Sequence, residues 1–144
     1  MPTFTEPDIL SADIANKVHN FTSDTFRLAL SNTAPVLGTT FLLSNVTQIA
    51  TGNGYTTAAD GAGKAVTLSL ARTGQTTTVS IGGTAPVWTA TGGTMASFRY
   101  VIFWNDTPTS PLNPVIGWID HGSVVSMTVG QTYTLPLGAL FTVN

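Results

Sequence analysis

Ser97-Phe98-Arg99-Tyr100-Val101-Ile102-Phe103-Trp104-Asn105 is the stretch that decides the fold. Phe98, Tyr100, Ile102 and Trp104 alternate with Arg99, Val101 and Phe103, which is the period of a β-strand. Apart from Arg99, both alternating sets are apolar. A strand that is apolar on both faces is covered on both, so the segment reads as a central strand.

Strand and turn signals continue outward from it in both directions. Upstream, Phe26, Leu28 and Leu30 alternate with Arg27 and Ala29, and Asn32-Thr33-Ala34-Pro35 closes that strand. Ala65–Leu70 carries Val66, Leu68 and Leu70 on one face. Thr73-Gly74-Gln75 is a short turn, and Thr76–Ile81 is the returning hairpin partner. Val87–Ala90 is a short strand ended by Gly92-Gly93. Downstream, the three prolines of 105–114 mark a loop. Val115–Ile119 is a strand that stops at Asp120-His121-Gly122, and Val124–Val129, Tyr133–Leu137 and Leu140–Val143 follow. The segment 40–49 suits either a short helix or a bent strand, and 51–63 is a glycine- and alanine-rich loop. Strands recurring about every 8–14 residues with turns between them indicate a single all-β domain. Its architecture would be an antiparallel β-sandwich, jelly-roll-like.

One helix is expected, over 8–19. Ile9, Leu10, Ile14 and Val18 fall near one face, Pro7 suits the first helical position and Asp8 the first turn. His19 would then sit at the helix C-terminus, where positive charge is favourable. Residues 1–7 read as an extended arm with Phe4 as its apolar residue. The first residues lack the charged and apolar regions of a signal peptide.

Charge is scarce. Only 8% of the 144 residues are Asp, Glu, Lys or Arg, against ~25% in an ordinary soluble domain. Lysine is the usual guard of exposed strand edges, and only Lys17 and Lys64 are present. A β-rich chain with so few guards is suited to being covered by neighbours. Five scattered basic residues and a net charge of -2 do not make a phosphate-binding surface, which argues against nucleic-acid binding. No segment reaches the ~18 apolar residues of a membrane span. Cysteine is absent, so disulfides, thiolate metal sites and a cysteine nucleophile are excluded.

Catalytic and ligand patterns are weak. Gly61-Ala62-Gly63-Lys64 lacks the first glycine and the final Ser/Thr of a phosphate loop, with alanine at 58 and 65, and reads as a flexible turn. Asp120, His121 and Ser123 are the residue types of a triad, but neighbours on a strand point apart. Two histidines do not build a typical zinc site. Asp24, Asp60 and Asp106 sit beside turn residues, where Asp stabilises backbone turns. Trp88, Trp104 and Trp118 are suited to stacking on sugars, although core packing is the commoner fate of such residues. The residues give no catalytic, metal or cofactor site and no small-molecule substrate.

Several blocks together carry a resemblance. Val18–Pro35, Gly52-Asn53-Gly54-Tyr55, Trp88-Thr89-Ala90-Thr91-Gly92-Gly93, Phe98-Arg99-Tyr100, Asn105-Asp106-Thr107 and Ile116–Ser123 occur in one order along the chain. As a set they resemble a group of small structural proteins of tailed bacteriophage virions. Trp118-Ile119 and His121 depart from that pattern, where a second aromatic and a tyrosine are expected. The resemblance implies a capsid decoration or cement protein, made in the bacterial cytoplasm and carried on the capsid surface. Its partners would be the major capsid protein and copies of itself, as a dimer or trimer. The alternative is a tail or fibre component that binds a host receptor or glycan. The candidate partner-contact residues are Phe4 on the arm, Ile9 and Leu10 on the helix, Tyr55 in the glycine-rich loop, and Trp118.

Overall fold

The computed structural model describes residues 3–144. Nine strands follow one another: β1 Thr3–Thr5, β2 Phe26–Ser31, β3 Lys64–Thr73, β4 Thr76–Gly82, β5 Val87–Thr89, β6 Met95–Asn105, β7 Val115–Met127, β8 Thr132–Thr134 and β9 Gly138–Val143. Seven form one sheet in the order β1-β7-β6-β2-β3-β4-β9, and β5 pairs with β8 as a separate ribbon. Every strand pairing is antiparallel. The large sheet curls until its two edges approach. The ring of Phe4 on β1 stacks on Phe141 of β9 at 5.6 Å and meets Phe103 of β6 edge-on at the same separation. The all-β, antiparallel, sandwich- or barrel-like class read from the alternation is the class observed.

β6 is central, between β2 and β7. Its Val101 and Phe103 enter the main core inside the curl, with Phe26, Leu28 and Leu30 of β2 and Val66 and Leu68 of β3. Its Tyr100, Ile102 and Trp104 enter a second, outer core with Ala29, Val115 and Trp118. A lid over that outer face is made by 40–62, where a 3₁₀ turn, Leu43–Asn45, seats Leu43 and where Ala58 packs. From Tyr100 to Asn105 both sides of β6 are therefore buried, as its two apolar sets require.

Phe98 departs from the simple alternation. It lies with Val101 and Phe103 rather than with Tyr100. The β6–β7 register jumps from Phe98↔Val125 to Tyr100↔Asp120, so extra residues of β7 loop out opposite Arg99. The same irregularity corrects a second expectation. Asp120-His121-Gly122 does not end a strand, because β7 runs through it from Val115 to Met127. The turn-forming residues make a bulge instead. A further shift lies between Phe103 and Trp104, opposite Gly117. A Cβ on Gly117 would fall 2.2 Å from Cζ of Phe4 and 2.7 Å from the Thr5 carbonyl oxygen. The bare glycine is what lets Phe4 cross β7 and reach the core.

The helix is shorter than the apolar spacing predicts. α1 covers Leu10–Ala15. It stops because Lys17 takes φ 58°. Val18 N–H then bonds the Asp13 carbonyl and Lys17 N–H the Ile14 carbonyl, the paired closure of a Schellman motif. Two residues further on, His19 is buried rather than acting as a cation on a helix end. The expected arm is also docked: β1 pairs along β7 as Thr3↔Asp120, Phe4↔Ile119 and Thr5↔Trp118. Residues 1 and 2 of that arm lie outside the described residues.

The β3–β4 hairpin turns at Gly74, whose φ of 62° at the first of two loop residues suits a II′ turn. Its inner side supplies Val66, Leu68, Val79 and Ile81 to the core. Its outer side has no lid.

Candidate interaction surface

Of the five candidate contact residues, three are used by the interior. Leu10, Tyr55 and Trp118 are buried. The Tyr55 hydroxyl accepts from Leu30 N–H at 3.1 Å and donates to Gln48 Oε1 at 2.7 Å, so this loop residue ties 51–63 to β2. Phe4 is half-buried against the core, and Ile9 is half-buried at the start of α1. These five positions do not form one surface.

The residues that suggested chemistry separate in the same way. Asp120 accepts two hydrogen bonds from Arg99, at 2.7 and 2.9 Å, and one from Gly122 N–H at 2.7 Å. Arg99 holds its carboxyl below the usual range. His121 Nε2 lies 2.5 Å from the Tyr133 hydroxyl. Desolvation pushes the imidazole pKa down, partly opposed by Asp120, and burial pushes the Tyr133 phenol up to about 12. Ser123 is exposed. The three triad-type side chains thus address three different environments.

A buried polar knot lies beyond α1. The Asn105 amide donates to Asp24 Oδ2 at 2.7 Å and approaches His19 Nδ1 at 3.1 Å. An amide donor at Nδ1 leaves the ring proton on Nε2, which has no hydrogen-bond partner and faces Asp13 at 3.8 Å. Burial, partly offset by Asp24, lowers the His19 pKa to about 4. Nearby, Asp106 binds Arg27 and accepts from Gly61 N–H at 2.9 Å. Gly61–Lys64 is thereby a fixed entry into β3. Among the described residues, no group of three His, Cys, Asp or Glu side chains could hold a metal ion.

The tryptophans present no stacking face. Trp104 is fully buried, and Trp88 and Trp118 nearly so. Trp88 lines a cleft of about 330 Å³ with Gly54, Thr56, Gly63, Lys64 and Ala65, and the Lys64 ammonium stands 5.7 Å from its ring centre.

What the fold leaves open is the half of the sheet that has no lid. On its outer face β3 presents Thr67, Ser69, Ala71 and Thr73. Opposite them in register stand Gly82, Ser80, Thr78 and Thr76 of β4, and β9 adds Ala139 and Thr142. No side chain on this three-stranded face is charged. β9 is the sheet's terminal strand and carries no charge either, so none of the usual charged edge guards is present. Beside it runs a groove of about 500 Å³, lined by Ile81, Ile119, Tyr133, Leu135 and the segment 136–140. Its lining brings together residues of β4, β7, β8 and β9 with the segment between β8 and β9. Leu137 stands on its rim, 51% exposed.

Local alternation could have shown the hydroxyl face, since Thr67 and Ser69 are the polar residues alternating with Val66, Leu68 and Leu70. The groove had no such signal, because it joins strands far apart in sequence. Comparison with known proteins finds no matching family model, no matching curated protein and no matching solved structure.

Proposed function

We propose that the protein is a structural component of a tailed-phage virion, a cement or decoration protein that binds the outside of the capsid and stabilises it. The observation that carries this reading is the uncharged sheet face of β3, β4 and β9. Association over such a face desolvates hydroxyls and small apolar groups but no ions, and ion desolvation is the costly term at an interface. Three strands ~4.8 Å apart and about seven residues long cover roughly 300 Å², whereas a stable interface needs about 800 Å² per partner. One such face is too small to hold a pair together alone. It suits a protein seated among several neighbours at once, as on a capsid lattice, where linked contacts multiply.

The blocks that carry the phage resemblance are largely fasteners of the fold. Asn53 donates to the Thr94 carbonyl at 2.8 Å and Gly54 packs on Thr89 and Ala90. Arg99 pairs with Asp120, and Gly117 receives Phe4. The resemblance therefore speaks to the fold, and the surface carries the functional argument. The test is cryo-EM of the virion whose genome encodes the chain. Density for a β-domain at fixed copy number on expanded heads is the expected result. Finding the protein only in tails, or in no virion fraction, would overturn the reading.

A further inference from the structure

The cleft beside Trp88 holds polar groups that the fold does not use. It encloses about 330 Å³ between Gly54, Thr56, Gly63, Lys64, Ala65 and Trp88, with no acidic side chain in its lining. Trp88 is 3% exposed, and a buried indole normally spends its N–H on a hydrogen bond. This one does not. Trp88 Nε1 has no partner among the described residues, and it is not sealed away from solvent as the unpaired Trp104 Nε1 is. The little of Trp88 that is exposed therefore includes its N–H, and the cleft is the opening that Trp88 lines.

Lys64 stands at the same opening. Arg27 and Arg99 are committed to Asp106 and Asp120, and Arg72 donates to the Gly74 carbonyl at 3.0 Å. The Lys64 ammonium has no carboxylate partner and no hydrogen bond among the described residues, and it lies 5.7 Å from the Trp88 ring centre. The Thr56 hydroxyl and the Gly54 N–H likewise have no acceptor among the described residues. The walls are held in place before any ligand arrives. Gly52 and Tyr55 exchange backbone hydrogen bonds at 2.8 and 3.1 Å around the Asn53-Gly54 turn. A Cβ on Gly54 would fall 1.9 Å from the Thr89 carbonyl oxygen, so the bare glycine lets this turn lie directly on β5.

We infer that this cleft binds a small hydroxylated carboxylic acid, the chemistry of a sugar acid. Lys64 and the Trp88 indole N–H hold the carboxylate, and Thr56 and Gly54 address its hydroxyls. The lining offers one full positive charge and several N–H and O–H donors, with no side-chain anion to compete. That set matches one negative charge spread over two acceptor oxygens, which is a carboxylate. A phosphate monoester carries nearly two charges at neutral pH and would meet a single ammonium. The space lies at the lower end of the range for small-molecule clefts and exceeds what a carboxylate alone fills. The rest of it is bordered by Thr56 and backbone rather than by large apolar side chains, which suits a polar body. Lys64 covers the ring face, so recognition uses the indole edge and not stacking.

The chain has three tryptophans, so the isotope-labelled full chain gives three indole N–H signals by NMR, and Trp88→Phe identifies the one that reports on the cleft. Glucuronate, glucose, acetate and the neutral-capped amino acid N-acetylglutamate amide are titrated at constant ionic strength. Glucuronate should move the Trp88 signal saturably and leave that of the sealed Trp104 in place. Acetate should move it in the same direction with several-fold weaker affinity, and glucose should not saturate. Lys64→Gln, at an exposed position whose folding the rest of the spectrum verifies, should bind glucuronate several-fold more weakly, as loss of a charged hydrogen-bond donor does. An unmoved Trp88 signal overturns the assignment, and so does unchanged binding by Lys64→Gln. Acetate or glucose binding as tightly as glucuronate also overturns it. Tighter binding of the glutamate derivative would make the ligand an acidic side chain of a partner and overturn the sugar-acid class. The titration uses the isolated chain, so its result stands apart from whether the protein is found in virions.

Discussion

The two halves of the large sheet have opposite outer faces. Over β2, β6 and β7 the outer face carries Ala29, Ile102, Trp104, Val115 and Trp118 beneath a lid. Over β3, β4 and β9 it carries threonine, serine, alanine and glycine with nothing above. The inner faces are alike, since both halves feed one core. The difference shows where the chain has provided its own cover. The segment 40–62 covers one half, and among the described residues the outer side of β3 on the second half stays exposed. Low charge has a different meaning in each half. Under the lid it reflects burial, and on the bare half it is the observation on which the proposed function rests.

The largest expected effect tests the lidded side. Trp104→Ala should cost about 3–5 kcal/mol, as large-to-small changes at fully buried aromatics do. Trp104→Phe should cost far less, because the indole N–H it removes has no hydrogen-bond partner and a buried unpaired donor is itself destabilising. Chemical denaturation of the two variants checks both values. A mild Trp104→Ala would mean that the lid is not a true second core.

Next is the crossing that closes the curl on the lidded side. Gly117→Ala should cost about 1–3 kcal/mol, since its methyl would overlap the Phe4 ring and the Thr5 carbonyl. Phe4→Ala in the same background should relieve the part of that penalty that comes from the ring and leave the part that comes from the Thr5 carbonyl. A double-mutant cycle measures the coupling. Additive losses would place the strain elsewhere.

Much of this architecture is legible in the sequence wherever one strand reports on itself. The alternation in 97–105, 65–70 and 76–81 found β6, β3 and β4, and the double apolar pattern of 97–105 found its double burial. Where two distant segments must agree, the pattern fails. Asp120-His121-Gly122 has turn composition, but pairing with β6 continues on either side and turns it into a bulge. Leu10, Tyr55 and Trp118 look like contact residues because apolar groups beside a helix start, a glycine loop and a strand carry no label of destination. Tertiary packing claimed them. Of the candidate site, the hydroxyl face was implicit in the strand alternation, whereas the groove beside β9 brings together residues from β4, β7 and 133–140.

His19 supplies a smaller effect that depends on pH. Its pKa is about 4 in the folded protein, below the ordinary value of 6.5, so the unfolded chain binds the extra proton between those values. Stability contributed by the neutral ring is complete above about pH 6.5. It is lost as pH falls toward 4 and changes no further below that. The gap of about 2.5 units corresponds to at most roughly 3 kcal/mol. Asp13, held above its ordinary value by burial, works in the opposite sense at the acid end and reduces the net loss. His19→Gln should flatten the profile between pH 4 and 6.5 in melts across that range. An unchanged slope would assign the acid sensitivity to other groups.

The smallest effect on stability tests the bare half most directly. Ala71→Lys places one ammonium on the exposed outer face, opposite Thr78, where the added side chain meets solvent. Folding should change by no more than about 0.5 kcal/mol, as surface substitutions usually do. Under the proposed function, binding to expanded heads should nevertheless fall sharply, because that ammonium would have to be desolvated without a partner. Ala71→Ser adds a polar group without charge and should leave binding intact. The pair separates charge from size. If the lysine variant binds heads as well as the parent, the bare half is solvent-facing in the assembly, and its lack of charge needs another explanation than contact.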